Sequence, residues 1–103
     1  MSKQSVRLIQ IAWGIVRTEL IRVDWDHILF DYGKDGLMLT VSCGRSSVFS
    51  VNLFLTPTER QKYQAEGAEY ISLLASKVRF GPHNYQERHA EAERKLSTLR
   101  DSY

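Results

Sequence analysis

The chain has 103 residues, of which 43% are hydrophobic and 25% are charged. These values are ordinary for one globular domain, so we expect a single domain over residues 1–103 and no intrinsic disorder. Fourteen basic and twelve acidic residues give a formal net charge of +2, and the two signs are mixed along the chain. Because phosphate neutralisation dominates nucleic-acid affinity, the lack of a basic block argues against nucleic-acid binding.

Cysteine content and the N-terminal segment bear on the compartment. Cys43 is the single cysteine, so no intrachain disulfide can form, which favours a reducing compartment. The apolar segment Val6–Val16 is interrupted by Arg7 and Gln10 and has no small-residue cleavage site, so it does not fit a signal peptide. No apolar run is long enough to span a bilayer. These features predict a soluble, cytoplasmic protein that does not bind membranes.

The segment Val6–Arg22 predicts an amphipathic helix. Its polar residues recur with a period of 3.6, and the remaining face is wide and apolar. Gly14 lies on the polar stripe, where it costs about 1 kcal/mol against alanine, and we interpret it as a point of close approach to a neighbour. We expect this helix to pack across a sheet.

Three alternating segments follow, His27–Tyr32, Leu37–Cys43 and Val48–Leu55. Apolar residues occupy every second position in each, as in strands with one buried face. Turn signals at Gly33–Gly36 and Gly44–Ser47 separate them. Short connections between consecutive strands indicate an antiparallel meander, with one face packed on helices and the other partly solvated.

Two helices are predicted after the strands. Thr56 and Glu59 form a capping box around a proline at the first helical position, and this helix runs to about Phe80. Gly67 is expected to weaken or bend it. The last helix runs from Tyr85 to about Arg100. The predicted fold is therefore α+β, a three-stranded antiparallel meander with an N-terminal helix and two C-terminal helices, in the order α-β-β-β-α-α.

An acidic cluster around the first predicted strand is the most suggestive functional feature. The cluster and its aromatic residue are Asp24, Trp25, Asp26, Asp31 and Asp35. Aspartates also mark loops and turns for structural reasons, and that interpretation stays open. Alternatively, the cluster docks a cationic protein, since an aromatic side chain supplies contact area and carboxylates supply steering. An Asp-x-Asp pair lacks the fuller ligand set of a calcium or magnesium site, so no metal is predicted.

The other chemistry-bearing residues point to no enzyme. His89 and Glu93 are one helical turn apart, but no third zinc ligand is evident. Cys43 falls in the apolar register of its strand, which favours a buried structural thiol over a nucleophile. No nucleotide fingerprint, triad signature or zinc pattern occurs. We therefore predict a protein-binding module without a cofactor.

Two other classes of function remain open. One is a small homo-oligomeric structural or regulatory domain that associates through a narrow apolar stripe on the last helix. The stripe residues that would form this seam are Tyr85, His89, Leu96 and Leu99. The other is a small hydrolase with a histidine–carboxylate pair as acid and base. The candidate pairs are His27 with Asp24 or Asp26, and His83 with Glu87.

The segment Val23–Ile28, the hairpin at Tyr32-Gly33 and the predicted order of elements together resemble the immunity proteins of bacterial toxin–immunity systems. These include the immunity proteins of contact-dependent growth inhibition. The resemblance covers most of the chain in element order. It implies a cytosolic protein that binds and neutralises a cognate toxin inside the producing cell. Toxin domains of this kind are often cationic nucleases, which an acidic patch would suit.

Overall fold

The computed structural model describes residues 8–12, 15–44 and 48–102, and describes side chains from residue 17 to 44 and from 48 to 100. The strands are β1 (Leu8–Ala12), β2 (Ile15–Val23), β3 (His27–Asp31), β4 (Leu37–Cys43) and β5 (Phe49–Phe54). The helices are α1 (Pro57–Glu66), α2 (Ala68–Phe80) and α3 (Gln86–Ser102), with 3-10 turns at Gly33–Asp35 and Pro82–Tyr85. No helix in these ranges combines the length and apolar character needed to cross a membrane.

The sheet is a meander in which each strand pairs antiparallel with its neighbour in sequence. Strands β2–β5 form a four-stranded sheet, and β1 extends it at the β2 edge to give the order β1-β2-β3-β4-β5. The α+β class and the predicted meander through β3, β4 and β5 are confirmed. All three helices follow the sheet in the chain.

The predicted N-terminal helix over Val6–Arg22 is wrong. The described residues of this segment form the antiparallel hairpin of β1 and β2. The segment is rich in isoleucine, valine and threonine, whose branched side chains favour a pleated strand over a helix. Gly14, and the close approach predicted for it, lie outside the described residues.

A β-bulge explains why β2 imitates a helical pattern. The register with β3 shifts between Glu19 and Ile21, so one extra residue interrupts the strand's alternation. Glu19 lies opposite Phe30, and Arg22 lies opposite Ile28. Two charged residues three positions apart therefore share one face of the sheet, a spacing that sequence analysis assigns to a helix.

The main hydrophobic core lies between one face of β3–β5 and helix α2. Its fully buried large side chains come from both layers and are Leu29, Leu39, Val41, Leu53, Ile71 and Val78. Burial of each such side chain stabilises the fold by about 1.5–3 kcal/mol. Cys43 is 2% exposed in the same core, as predicted for a structural thiol.

A second, smaller core lies on the opposite face of the sheet. Phe30, Tyr32 and Met38 are buried there, and Leu96 and Leu99 of α3 pack against them. Helix α3 also lies along β5. The apolar stripe of the last helix is thus packed within the chain, where it joins the helix to the sheet.

The single long helix predicted between Thr56 and Phe80 is two helices. The predicted capping box is confirmed, since Thr56 and Glu59 exchange both hydrogen bonds at the start of α1. Gly67 then adopts φ 72° and ψ −147°, a conformation that is open essentially to glycine alone. The expected weakening at Gly67 is a complete break between α1 and α2. The last helix begins at Gln86, after a 3-10 turn, instead of at Tyr85.

Candidate functional site

The five residues of the predicted acidic cluster lie at two different ends of the sheet. Asp24, Trp25 and Asp26 form the turn between β2 and β3, whereas Asp31 ends β3 and Asp35 lies in the following turn. Strand β3 separates the two groups, and its five residues span about 13–14 Å at ~3.4 Å per residue. The structure therefore brings together the first three residues and leaves the other two at the far end.

Trp25 occupies a position that disfavours large side chains. The Asp26 N–H donates to the Val23 carbonyl oxygen at 2.9 Å, which closes a four-residue turn with Trp25 as its third residue. Trp25 has φ 65°, and this turn position normally takes glycine or asparagine. Its side chain is 95% exposed. A large aromatic residue in a left-handed conformation, without packing to justify it, is a candidate functional residue.

Asp26 locks this turn to the rest of the fold. Its Oδ1 accepts a hydrogen bond from His27 Nδ1 at 2.8 Å and another from Arg79 Nη2. Arg79 Nε also donates to the Ser42 carbonyl oxygen at 3.4 Å, so the arginine joins α2 to β3 and β4. The hydrogen bond from His27, followed by the charge of Arg79, holds the pKa of Asp26 below its ordinary value against the opposing effect of burial. Asp26 is thus a structural residue that fixes the Trp25 turn.

His27 forms the predicted pair with Asp26, but its ring is not accessible. The residue is 4% exposed, and its Nε2 is buried with no hydrogen-bond partner among the described residues. Because Nδ1 donates to the carboxylate, the neutral ring leaves Nε2 as a bare acceptor. A general acid or base must reach a proton on its substrate. The pair is therefore suited to positioning the turn and not to acting on a bound molecule.

Asp24 is the cluster's most exposed carboxylate at this end. Its side chain is 73% exposed, and Arg22 Nη1 lies 3.5 Å from its Oδ1. Arg22 also forms a closer ion pair with Glu19 at 2.8 Å. Asp24 and Trp25 therefore project together from one tight turn, with Asp26 held behind them.

Large apolar side chains gather at the same end of the sheet. We name them the end surface, which consists of Val23, Trp25, Val48, Phe49 and Phe80. Their exposed fractions are 42%, 95%, 72%, 48% and 90% in that order. Six large hydrophobic side chains are exposed in the described part of the chain, and five of them belong to the end surface. Such clustering marks interaction surfaces, whereas single exposed apolar residues are common.

A depression joins two members of the end surface, Phe49 and Phe80. Phe49, Phe80 and Pro82 line it together with Arg79, the residue that binds Asp26. Aromatic residues and arginine are enriched in the energetic centres of protein interfaces. The sixth exposed residue, Leu73, is 52% exposed and borders a neighbouring depression with Phe80.

Sequence analysis missed Phe49 and Phe80 as surface residues. The alternation of Val48–Leu55 predicts that Phe49 is on the apolar face of its strand, but it lies at the first position of β5, where about half of it remains exposed. Phe80 falls outside the buried repeat of α2, and it lies seven residues after Leu73. That spacing places both on one face of the helix. A second apolar stripe beside the buried one was the signal that could have identified them.

Asp31 and Asp35 have local structural roles at the other end. Asp31 Oδ1 accepts the Gly33 N–H at 2.7 Å, which forms an Asx turn. The Asp35 carbonyl oxygen accepts from Lys95 Nζ at 2.5 Å, and that ammonium group also lies 4.2 Å from the centre of the Phe54 ring. The Asp31 contact fits the interpretation that aspartates mark turns, whereas the Asp35 contact uses only its backbone carbonyl oxygen.

The remaining candidates for chemistry are a metal cluster, the Cys43 thiol and the histidines of the C-terminal region. Within the described ranges, no group of three metal-ligating side chains occurs. Burial raises the pKa of the Cys43 thiol, with Arg79 opposing it, so the reactive thiolate is disfavoured. His83 and Glu87 are both exposed. His89 accepts the Asn52 N–H on Nδ1 at 2.9 Å, a role in packing α3 on the sheet.

No protein-family model matches the chain, and no curated protein or solved structure matches it at a significant level. The resemblance to immunity proteins therefore stays a prediction from the sequence, and the element order on which it partly rests began with a helix where the structure has the β1–β2 hairpin.

Proposed function

We propose that the chain is a non-enzymatic protein-binding module whose end surface contacts a protein partner. The observation that carries the proposal is Trp25, which is 95% exposed at φ 65° in a turn locked by Asp26 and Arg79. A strained residue persists when its surroundings over-determine it, and such residues cluster at binding sites. Because the turn is held by Asp26 and Arg79, the backbone that carries the tryptophan loses little freedom on binding, which favours Trp25 as an anchor.

The partner we propose is a cationic toxin domain that this chain binds and neutralises, as the resemblance to immunity proteins implies. Asp24 supports this choice, since its largely exposed carboxylate lies next to the Trp25 anchor. A carboxylate at the rim of an apolar contact raises the association rate with a cationic partner more than it raises the affinity. Asp31 and Asp35 lie at the other end of β3, about 13–14 Å away, and they enter the proposal as longer-range charges.

Site-specific photo-crosslinking in the native host tests the proposal. A photoreactive phenylalanine analogue at position 25 or 80 should capture one protein in stoichiometric yield. The same analogue at Lys34, which is exposed in the turn at the opposite end, is the matched control. The captured protein should then bind the purified chain. Expressed in cells that lack the chain, the captured protein should arrest growth. Equal capture from all three positions, or from Lys34 alone, would contradict the end surface as the interface.

Charge substitution separates steering from anchoring. Asp24→Lys should lower the association rate constant and reverse its dependence on ionic strength. Asp35→Lys, at the other end of the sheet, should change both the rate constant and its salt dependence much less. Asp26 is left intact in this comparison, because its replacement would break the contact with Arg79. Stopped-flow association at several salt concentrations measures both variants. Identical salt dependence in the two variants would remove the acidic residues from the proposed interface.

A further inference from the structure

The free edge of β5 is covered by α3 along only part of its length. In the pairing with β4, Asn52 lies opposite Thr40 and Phe54 opposite Met38. The Asn52 N–H donates to His89 Nδ1 at 2.9 Å, and the Phe54 carbonyl oxygen accepts from Arg88 Nη2 at 2.8 Å. Backbone groups of these two residues therefore point away from β4, and side chains of α3 satisfy them.

Ser50 is the next residue along this outward-facing series. Alternate residues of an antiparallel strand direct their backbone groups to the same side, so the N–H and C=O of Ser50 point outward like those of Asn52. Ser50 is exposed, and no described residue forms a hydrogen bond with these two groups. An open pair of this kind is a template for an added strand.

A cavity of about 480 Å³ adjoins Ser50, between the β5 edge and the start of α3. Its apolar lining consists of Phe49, Val51 and Pro82, and His89 is among its polar lining residues. That volume is within the range of ligand pockets. Because Nδ1 of His89 accepts from the Asn52 N–H, the neutral ring carries its proton on Nε2.

We propose that the open half of the β5 edge binds an extended peptide strand of the protein partner. The strand forms main-chain hydrogen bonds with the N–H and C=O of Ser50 and seats one apolar side chain against Phe49, Val51 and Pro82. Backbone pairing then gives affinity, and the pocket selects the side chain. This inference rests on the proposed function, because Phe49 and Pro82 also line the depression of the end surface.

Nuclear magnetic resonance on the full ¹⁵N-labelled chain tests the inference. The probe is a library of blocked hexapeptides in which valine, leucine, isoleucine or phenylalanine alternates with threonine. At least one member should shift the Ser50 amide downfield and slow its hydrogen exchange. Replacing its strand-pairing N–H by N-methyl should weaken binding about three- to tenfold, as expected for one lost hydrogen bond. No response at Ser50 to any member at millimolar concentration would overturn the inference.

Two variants complete the test. Ser50→Pro removes the outward N–H, which β4 does not use, and Ser50→Ala retains it, so only the proline variant should lose peptide binding. If neither variant weakens partner binding while Trp25→Ala does, strand addition is refuted and the proposed function stands. If sedimentation shows a dimer that Ser50→Pro abolishes, the occupant is a second copy of the chain, and the inference is again overturned.

Discussion

Replacing Trp25 by glycine should make the fold more stable. The tryptophan side chain is 95% exposed, so its removal sacrifices almost no packing. A large residue with positive φ costs about 1–3 kcal/mol, and glycine adopts the same conformation without that cost. Against this gain, glycine gives the unfolded chain extra freedom, worth about 0.5–1 kcal/mol. The difference between the two effects is an increase of about 0–2.5 kcal/mol in the free energy of unfolding, with a mid-range value of about 1 kcal/mol.

The stability change is measurable by thermal and urea unfolding. For a domain near this size, a gain of about 1 kcal/mol corresponds to a rise in Tm of about 4–8 °C. Trp25→Ala keeps a Cβ and hence most of the strain, so its free energy of unfolding should be close to that of the wild type. Asp24→Gly introduces glycine at a neighbouring position without positive φ and should destabilise by about 0.5–1 kcal/mol.

A comparison of the two variants at position 25 decides whether the turn is strained. If Trp25→Gly is no more stable than Trp25→Ala, the turn is not strained by its tryptophan. Trp25 would then carry no conformational cost for a binding role to explain. If the glycine variant gains stability and also keeps full partner affinity, the strain is real but Trp25 is not the anchor.

Three further predictions concern the scaffold. Gly67→Ala should destabilise by about 1–3 kcal/mol in urea unfolding, although its Cβ would have open space, because φ 72° is strained for any side chain. Burial acts to raise the pKa of Glu59, but the hydrogen bonds and charge of Arg88, together with the hydrogen bonds from Thr56, outweigh it and hold that pKa below its ordinary value. The resulting stability is present above the pKa of the unfolded chain and is lost as pH falls through the lower folded value. Glu59→Gln should therefore unfold more easily near neutral pH and show a smaller loss of stability between about pH 5 and pH 3, measured by urea titration. Leu96→Ala should cost about 1–2 kcal/mol because Leu96 is half-buried in the second core, whereas Glu91→Ala on the exposed side of α3 should stay within about 0.5 kcal/mol by thermal unfolding.

The sequence predicted those elements whose local signals agree with one another. Strands β3 to β5 show clean alternation between turn residues, and the capping box at Thr56 and Glu59 marks the start of α1 unambiguously. Strand β2 was mispredicted because its bulge near Leu20 shifts the alternation of polar residues. A bulge depends on pairing with β3, which is a tertiary property.

The candidate site was predicted in part. Trp25 and its two neighbouring aspartates were found because they are adjacent in sequence. Phe49 and Phe80 join them only through the fold, since the end of α2 reaches the β2–β3 turn through the contact between Arg79 and Asp26. Asp26 and Asp24 look alike in the sequence, yet one is held by two partners and the other is largely exposed. Burial and pairing of that kind cannot be read from spacing.

Isothermal titration calorimetry with the captured, purified partner tests directly whether Trp25 anchors the interface, through the affinity of the partner for three chains. They are the wild type, Trp25→Ala, and Glu69→Ala as an exposed control on α2. A buried aromatic anchor contributes at least about 2 kcal/mol, so Trp25→Ala should weaken binding about 30-fold, while Glu69→Ala should leave it unchanged. Equal affinity for all three chains would contradict the account and place the interface elsewhere on the molecule.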